Sequence, residues 1–179
     1  PVINVEPIKY DEPEYNNYKG IIFTSANAIK NLNIKKIDKK IYCFCVGAYT
    51  EKVAKQSGFQ NIFCAEGNVS NLKEIILQNF DKKTGSLIYI SGEIVSFNLD
   101  KELSLAGYVI TRLINYTVKH NLELKNEFIK DIKSFTPDMV FIYSENSARS
   151  FLNLLKKYNL QYDLMNTNLM CLGEKASSV

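Results

Sequence analysis

The sequence predicts an α/β protein with parallel sheets, organised as two related domains. Three observations carry this reading. Short apolar runs rich in Ile, Val, Phe and Tyr alternate with amphipathic segments, one strand-serine-helix element occurs twice, and two longer extended segments flank a block of the alternating units. The chain of 179 residues has room for one large domain or two small ones, and 46% apolar with 23% charged residues places it among proteins that bury a packed core.

Taken in order, the chain opens on an extended apolar segment, 2–8. Strand 20–24 leads through Ser25 into a helix at 26–32. Strand 41–46 is followed by helix 49–57, which stops at Gly58, and strand 61–64 by helix 71–80, which Ser70 precedes. Strand 87–91 is followed by helix 99–106, stopped by Gly107, and a second extended segment runs over 108–118. Strand 139–144, helix 147–158 and strand 169–173 complete the pattern, with Phe151, Leu154 and Leu155 on one helix face. Ser and Asn at helix starts supply side-chain oxygens for the unpaired amides there, and Gly at helix ends accepts the left-handed turn.

The repeat sets the domain plan. The run from Ile21 to Leu32 and the run from Val140 to Leu155 share an apolar strand, a serine, two residues and a small residue opening a helix. Each is followed by an apolar strand ending in glycine, at Gly47 and at Gly173. The two extended segments pair naturally as a two-stranded connector. The expected organisation is a first connector strand within 1–17, an α/β domain over 18–112, a return strand over 113–121, and the second part of a discontinuous α/β domain over 122–179.

Several functions are disfavoured by what the sequence lacks. The formal charge of +3 comes from 22 basic and 19 acidic residues spread along the chain, so no nucleic-acid partner is expected. No apolar run approaches the length of a membrane span and no secretion signal opens the chain, so a cytoplasmic protein with no membrane partner is expected. Cys43, Cys45, Cys64 and Cys171 lie in strand-like runs with no C-x-x-C pair, and His120 is the single histidine. Buried thiols and no metal site are expected from that spacing.

The candidate site residues sit where strands end and helices begin, and free amides there favour an anion. Ser25 with Asn27, and Ser144 with Asn146 and Ser147, hold these places in the two repeats. Either group is also an ordinary N-cap; two such caps facing one another would line a cleft with anion sites on both walls. Gly47 with Thr50, and Gly173 with Glu174 and Lys175, follow the next strand in each repeat, where a missing Cβ lets a ligand approach the backbone or simply lets the chain turn. Ser91, Gly92 and Glu93 follow another strand, and Gly67 and Ser70 precede a helix. Tyr116 lies in the second extended segment, as a phenol facing the cleft or as a half-buried strand residue. No Ser-His-Asp set and no paired carboxylates appear, so any chemistry should rest on positioning and main-chain electrostatics.

With these residues in place, the chain resembles the uroporphyrinogen-III synthase family over nearly its whole length. The resemblance is carried by FTSANAI (23–29), VGAYT (46–50), LIYISGE (87–93), the strand ending in Tyr116, YSENSARSF (143–151) and CLGEKA (171–176). It implies two similar three-layer α/β domains with parallel sheets, joined by a two-stranded β connector, one domain inserted in the other. It also implies a substrate, hydroxymethylbilane, a linear tetrapyrrole with eight carboxylates, which loses its terminal hydroxyl and closes with ring D inverted. No cofactor is needed. The substrate would be handed over from hydroxymethylbilane synthase to a monomer. By position, Ser25, Asn27, Gly47, Thr50, Ser144, Ser147 and Gly173 would present amides or hydroxyls to carboxylates, with Ser70, Ser91, Gly92 and Lys175 as further contacts, and Tyr116 would assist departure of the hydroxyl. The family's opening strand and Thr-Arg-Pro-like turn are expected before Pro1, and Ala176 stands where the family usually has a threonine. The alternative is a non-catalytic two-domain module that binds an anionic small molecule.

Overall fold

The structure is a computed structural model that describes residues 2–179. Close Cα packing divides the chain into two compact units, Val5–Thr117 and a smaller one made of 2–4 with Val118–Val179. The division falls inside two strands, whereas the sequence reading placed it near the ends of the block 18–112.

The larger unit is built on β1 (Ile3–Pro7), β2 (Tyr18–Phe23), α1 (Ala26–Lys30), β3 (Tyr42–Val46), α2 (Ala48–Gln56), β4 (Asn61–Ala65), α3 (Val69–Asn79), β5 (Ser86–Gly92), α4 (Leu99–Leu105) and β6 (Ile110–His120). One sheet holds its six strands in the order β1-β6-β5-β2-β3-β4, and β6, β5, β2, β3 and β4 run parallel. The chain therefore winds outward from β2 in one direction, crosses over after β4, and winds outward again from β5 in the other. That reversal makes a switch point between β2 and β5, and in open α/β sheets the crevice beyond the strand ends at such a point is where ligands bind. β1 lies beyond β6. The Ile8 amide donates to the Asn115 carbonyl at 3.0 Å and the Asn121 amide to the Val2 carbonyl at 3.0 Å, which fixes β1 and β6 as antiparallel. The two extended segments are thus not a free-standing ribbon, because the first half of β6 also pairs with β5.

Alternation along the strands builds the core. Ile22, Phe44, Leu87 and Tyr89 face a cluster completed by Leu72, Ile76 and Phe80 around α3 and by Leu99 and Leu103 of α4. The intervening residues Ile21, Phe23, Cys43, Cys45, Ile88 and Ile90 are also buried and take the opposite face, where Ala28, Ile29 and Ala54 of α1 and α2 are buried. Both faces being covered is why these strands read as continuous apolar runs. Burying one side chain of this size stabilises the fold by roughly 1.5–3 kcal/mol. Burial pushes the Cys43 thiol up to about 12 and raises Cys45 as well, so both remain protonated and inert. Cys64 and Cys171 are half-buried.

The smaller unit contains α5 (Asn126–Ser134), β7 (Met139–Ile142), α6 (Glu145–Lys157), β8 (Asn168–Cys171) and α7 (Glu174–Ser177). β7 and β8 form a two-stranded parallel sheet. Ile132, Ile142, Ala148, Phe151, Leu155, Leu160, Leu164 and Ala176 form its core. Helix α5 was not anticipated from the sequence, and its ends explain why: Lys125 and Phe135 occupy the cap positions and neither start nor stop carries a cap residue. Another local correction concerns α3, which starts at Val69 rather than after Ser70. Asn68 is its cap, accepting from the Ser70 and Asn71 amides while the Asn71 side chain accepts from the Asn68 amide. Among the described residues, no helix is long and apolar enough to cross a membrane.

Gly20, in β2, lies where packing leaves no room for a side chain. A Cβ there would overlap Leu87 Cδ2 and come within 3.3 Å of Phe80. Gly20→Ala is expected to lower the unfolding free energy by about 1–3 kcal/mol, while Leu105→Ala, on an exposed side chain, changes it by about 0.5 kcal/mol or less. Urea midpoints of the two variants check this.

Candidate functional site

In the larger unit, Ser25 follows β2 after Thr24 and caps α1, its hydroxyl accepting from the Asn27 amide at 3.3 Å. Its backbone is extended, with φ −153° and ψ 142°, as a capping residue requires. Gly47 follows the neighbouring β3 and opens α2 with φ +82° and ψ 144°. Nothing lies within 4 Å of the place its Cβ would take, so glycine is demanded there by torsion and not by crowding. Thr50, in the first turn of α2, is buried.

The smaller unit repeats this arrangement. Ser144 follows β7, caps α6 with φ −158° and ψ 158°, accepts from the Ser147 amide at 3.2 Å and shares a 2.8 Å hydrogen bond with the Ser147 hydroxyl. Gly173 follows the neighbouring β8 with φ +86° and ψ 161°, again with nothing within 4 Å of a Cβ position. Even the register is the same. Phe23 pairs with Cys45 and Ile142 with Cys171, and in each pair the serine and the glycine stand two residues further on. Lys175 belongs to α7, and its side chain lies outside what the structure describes.

A third cluster forms where β5 ends beside β6. Ser91 pairs with Ile114 but Gly92 pairs with Tyr116, so Asn115 is an extra residue in β6, a β-bulge. The bulge brings Tyr116 opposite Gly92, and its ring lies on that glycine: a Cβ on Gly92 would stand 2.8 Å from the ring carbon Cζ and 3.1 Å from the hydroxyl oxygen. Tyr116 is only 9% exposed. Ser91 is fully buried, its hydroxyl donating to the Gly92 carbonyl at 3.0 Å and accepting from Arg112 Nε at 2.8 Å. Arg112 Nη2 also donates to the carbonyls of Gly92 (2.8 Å) and Glu93 (3.0 Å). Thr117 donates to Glu93 Oε2 at 2.8 Å, and Asn115 Nδ2 donates to the Ala28 carbonyl of α1 at 2.8 Å. Across the switch point, the Thr24 hydroxyl and the Tyr89 phenol are 3.0 Å apart; burial raises the Tyr89 pKa.

The structure therefore joins Ser91, Gly92 and Tyr116 in one cluster, places Ser25 beside Gly47, and places Ser144 and Ser147 beside Gly173. Ser70 stands apart from all of them, exposed in the first turn of α3. Sequence reasoning missed Arg112, Asn115, Thr24 and Tyr89. Arg112 was findable, as the one arginine in an otherwise uncharged strand end four residues before Tyr116; the bulge was not, because it exists only in the pairing of two strands. A cavity of about 660 Å³ in the smaller unit is lined chiefly by Phe128, Ile132, Phe135, Phe141, Phe151 and Leu164, with Ser147 at its wall. Such a lining does not suit a polyanion. Among the described residues, no group of His, Cys, Asp or Glu is placed to hold a metal ion.

What the arrangement can do is present main-chain amides and hydroxyls to anions at strand ends, and hold one phenol rigidly over a glycine. No curated protein sequence matches the chain. Among solved structures, a uroporphyrinogen-III synthetase from Helicobacter pylori aligns with a TM-score of 0.70 at 16% identity, covering 99% of this chain and 78% of that one. A mutant uroporphyrinogen III synthase from the extremely thermophilic bacterium Thermus thermophilus aligns with a TM-score of 0.55 at 14% identity, covering 99% and 76%. At these identities the two structures establish a shared α/β fold. The family described as uroporphyrinogen-III synthase HemD matches residues 1–178, and the chain belongs to that family.

Proposed function

We propose that the chain closes hydroxymethylbilane to uroporphyrinogen III, holding the substrate's carboxylates on main-chain amides at the strand-end turns and using the Tyr116 phenol to assist loss of the terminal hydroxyl. Family membership supports the reaction. The observation that supports the anion-binding role is the matched pair of turns, in which a serine-capped helix start stands beside a glycine of positive φ at the ends of neighbouring parallel strands, once in each unit. In this reading 18–112 is an inserted α/β domain, the strands within 1–17 and 113–121 are its connector, and 122–179 belongs to the discontinuous domain. The protein takes its substrate from the enzyme that makes it, as a cytoplasmic monomer.

The reactive carbons belong to the substrate, so the protein's task is to fold a flexible chain and to favour one closure over another. Amides at helix starts suit that task, because each carries partial positive charge, needs no protonation change and is fixed in direction before the ligand arrives. Ser25, Asn27, Ser144 and Ser147 stand at these starts, together with Gly47, Thr50, Gly173 and Lys175 at the neighbouring turns. Ser91 and Gly92 enter the site in a different way from that expected of them, as the support beneath Tyr116. The phenol itself offers a hydrogen bond to the departing hydroxyl as the carbon–oxygen bond breaks; the oxygen leaves as water with the proton given up by the pyrrole N–H, and the azafulvene so formed is the electrophile that ring D attacks.

Coupled to a source of hydroxymethylbilane, the protein is expected to yield isomer III, whereas a module that merely binds would leave the spontaneous isomer I. Tyr116→Phe should lower kcat on the order of a hundredfold with a thermal midpoint close to that of the parent; normal turnover would make Tyr116 a structural strand residue. Alanine at Ser25, Asn27, Thr50, Ser144 or Ser147 should cost roughly tenfold or less in kcat/KM, since a neutral hydrogen bond contributes on the order of 1 kcal/mol and the load is shared. Gly47→Val and Gly173→Val should lose more, because both backbones occupy a region open to glycine alone. A thousandfold drop in any folded alanine variant would reveal a dedicated catalytic side chain and defeat the shared-donor reading.

A further inference from the structure

We propose that Arg112 is a positioning residue for the reaction: it locks the Ser91-Gly92-Glu93 turn into the bed on which the Tyr116 ring rests. Its bearing on turnover depends on the role proposed for Tyr116; its bearing on the ring does not.

Ser91 and Gly92 are the last two residues of β5 and Glu93 follows them, so this segment stands where the strand's own pairing comes to its end. Arg112 meets three of its acceptors with one planar group, Nε on the Ser91 hydroxyl at 2.8 Å and Nη2 on the Gly92 and Glu93 carbonyls at 2.8 and 3.0 Å. A guanidinium can do this because its donors are rigid and coplanar; an ammonium at the same place is a single point charge. Ser91 adds a second hold on the Gly92 carbonyl, and the Glu93 amide donates to the Tyr116 carbonyl at 2.9 Å. The bed is thus tied to the strand that carries the ring at both its side-chain and its main-chain level.

Gly92 shows that the ring and the bed are fitted to each other. Its φ is not positive, so its backbone does not demand glycine. What excludes a side chain is the tyrosine ring, at 2.8 Å from Cζ and 2.9 Å from Cε2 of a Cβ built there. A surface that close transmits its own displacement to the ring. If the Gly92 and Glu93 carbonyls lose the guanidinium, the turn is free to shift, and the phenol oxygen shifts with it. The bulge at Asn115 sets Tyr116 opposite Gly92, so the seat of the ring is this strand end and no other.

The test makes Arg112→Met and Arg112→Lys in the parent and in the Tyr116→Phe background, with steady-state kinetics on hydroxymethylbilane and NMR of ring-labelled tyrosine, the Tyr116 signal being assigned by its loss in Tyr116→Phe. In the parent background Arg112→Met is expected to lower kcat about tenfold while KM stays within about twofold, and to shift or broaden the Tyr116 ring signal. In the Tyr116→Phe background the same substitution should have little further effect on kcat, the non-additivity expected of residues acting as a unit. Arg112→Lys keeps the stem and charge but loses the fork, and should move the ring signal in the same sense; if Arg112→Met does not fold, it carries the test. An unchanged ring signal in the folded variants overturns the proposal. So does a rise in KM at constant kcat with the ring in place, which would mean that Arg112 meets a substrate carboxylate directly. Should the ring move while Tyr116→Phe turns over normally, the positioning stands and the catalytic role of Tyr116 falls.

Discussion

Between the Ser91–Ile114 and Gly92–Tyr116 pairs β6 holds one residue more than β5, and the arrangement at the carboxyl end of the sheet follows from that mismatch. Without Asn115 as the extra residue, Gly92 would pair one position earlier in β6 and Tyr116 would point to the other face of the sheet. With it, the phenol sits on the glycine. The bulge has its own anchors, since the Asn115 side chain reaches the Ala28 carbonyl of α1 and its main-chain carbonyl receives the amide of Ile8, the residue after β1. Helix α1 is also the helix that Ser25 caps. A single irregularity thereby ties the phenol, the capped helix and the edge strand into one structure, and each member limits how the others can move.

The turns after β2, β3, β7 and β8 share one local plan, and in the function proposed above they are the places that would meet the substrate's carboxylates. A polyanion spread over many contacts is held better by many fixed partial charges than by a few mobile full ones, because fixed dipoles lose no side-chain entropy when the ligand arrives. Gly47 and Gly173 leave open space where a side chain would stand, and their near-identical torsions show that the same solution is used twice in one chain.

The fold was largely legible because its signals were local. Apolar runs such as Ile21 to Phe23 and Leu87 to Ile90, buried on both faces, announce strands whatever their neighbours are, and Ser25 and Ser144 announce helix starts by their own chemistry. Reading failed where a local signal was absent or belonged to another residue. Helix α5 begins and ends without a cap residue, and at α3 the cap is Asn68, two residues before the serine that looked the part. The strand order, with its switch point between β2 and β5, follows from long-range pairing that no window of sequence contains. Ser91 illustrates the limit at the site: a serine after a strand reads as a ligand contact, and only the arrival of Arg112 from the adjacent strand shows its hydroxyl already engaged on both sides.

The two sheets also differ in how their amides are guarded. β5 lies between β2 and β6, so the peptide groups of Ile88 to Ile90 are bonded to a strand on either side and covered by helices above and below. Their protons can reach solvent only when that whole unit opens. β7 has β8 on one side and, among the described residues, no strand on the other, with Met139 and Phe141 exposed. Exchange at the Ile88 to Ile90 amides is therefore expected to report the opening of the larger unit as a whole, so the floor beneath Tyr116 moves only with that unit.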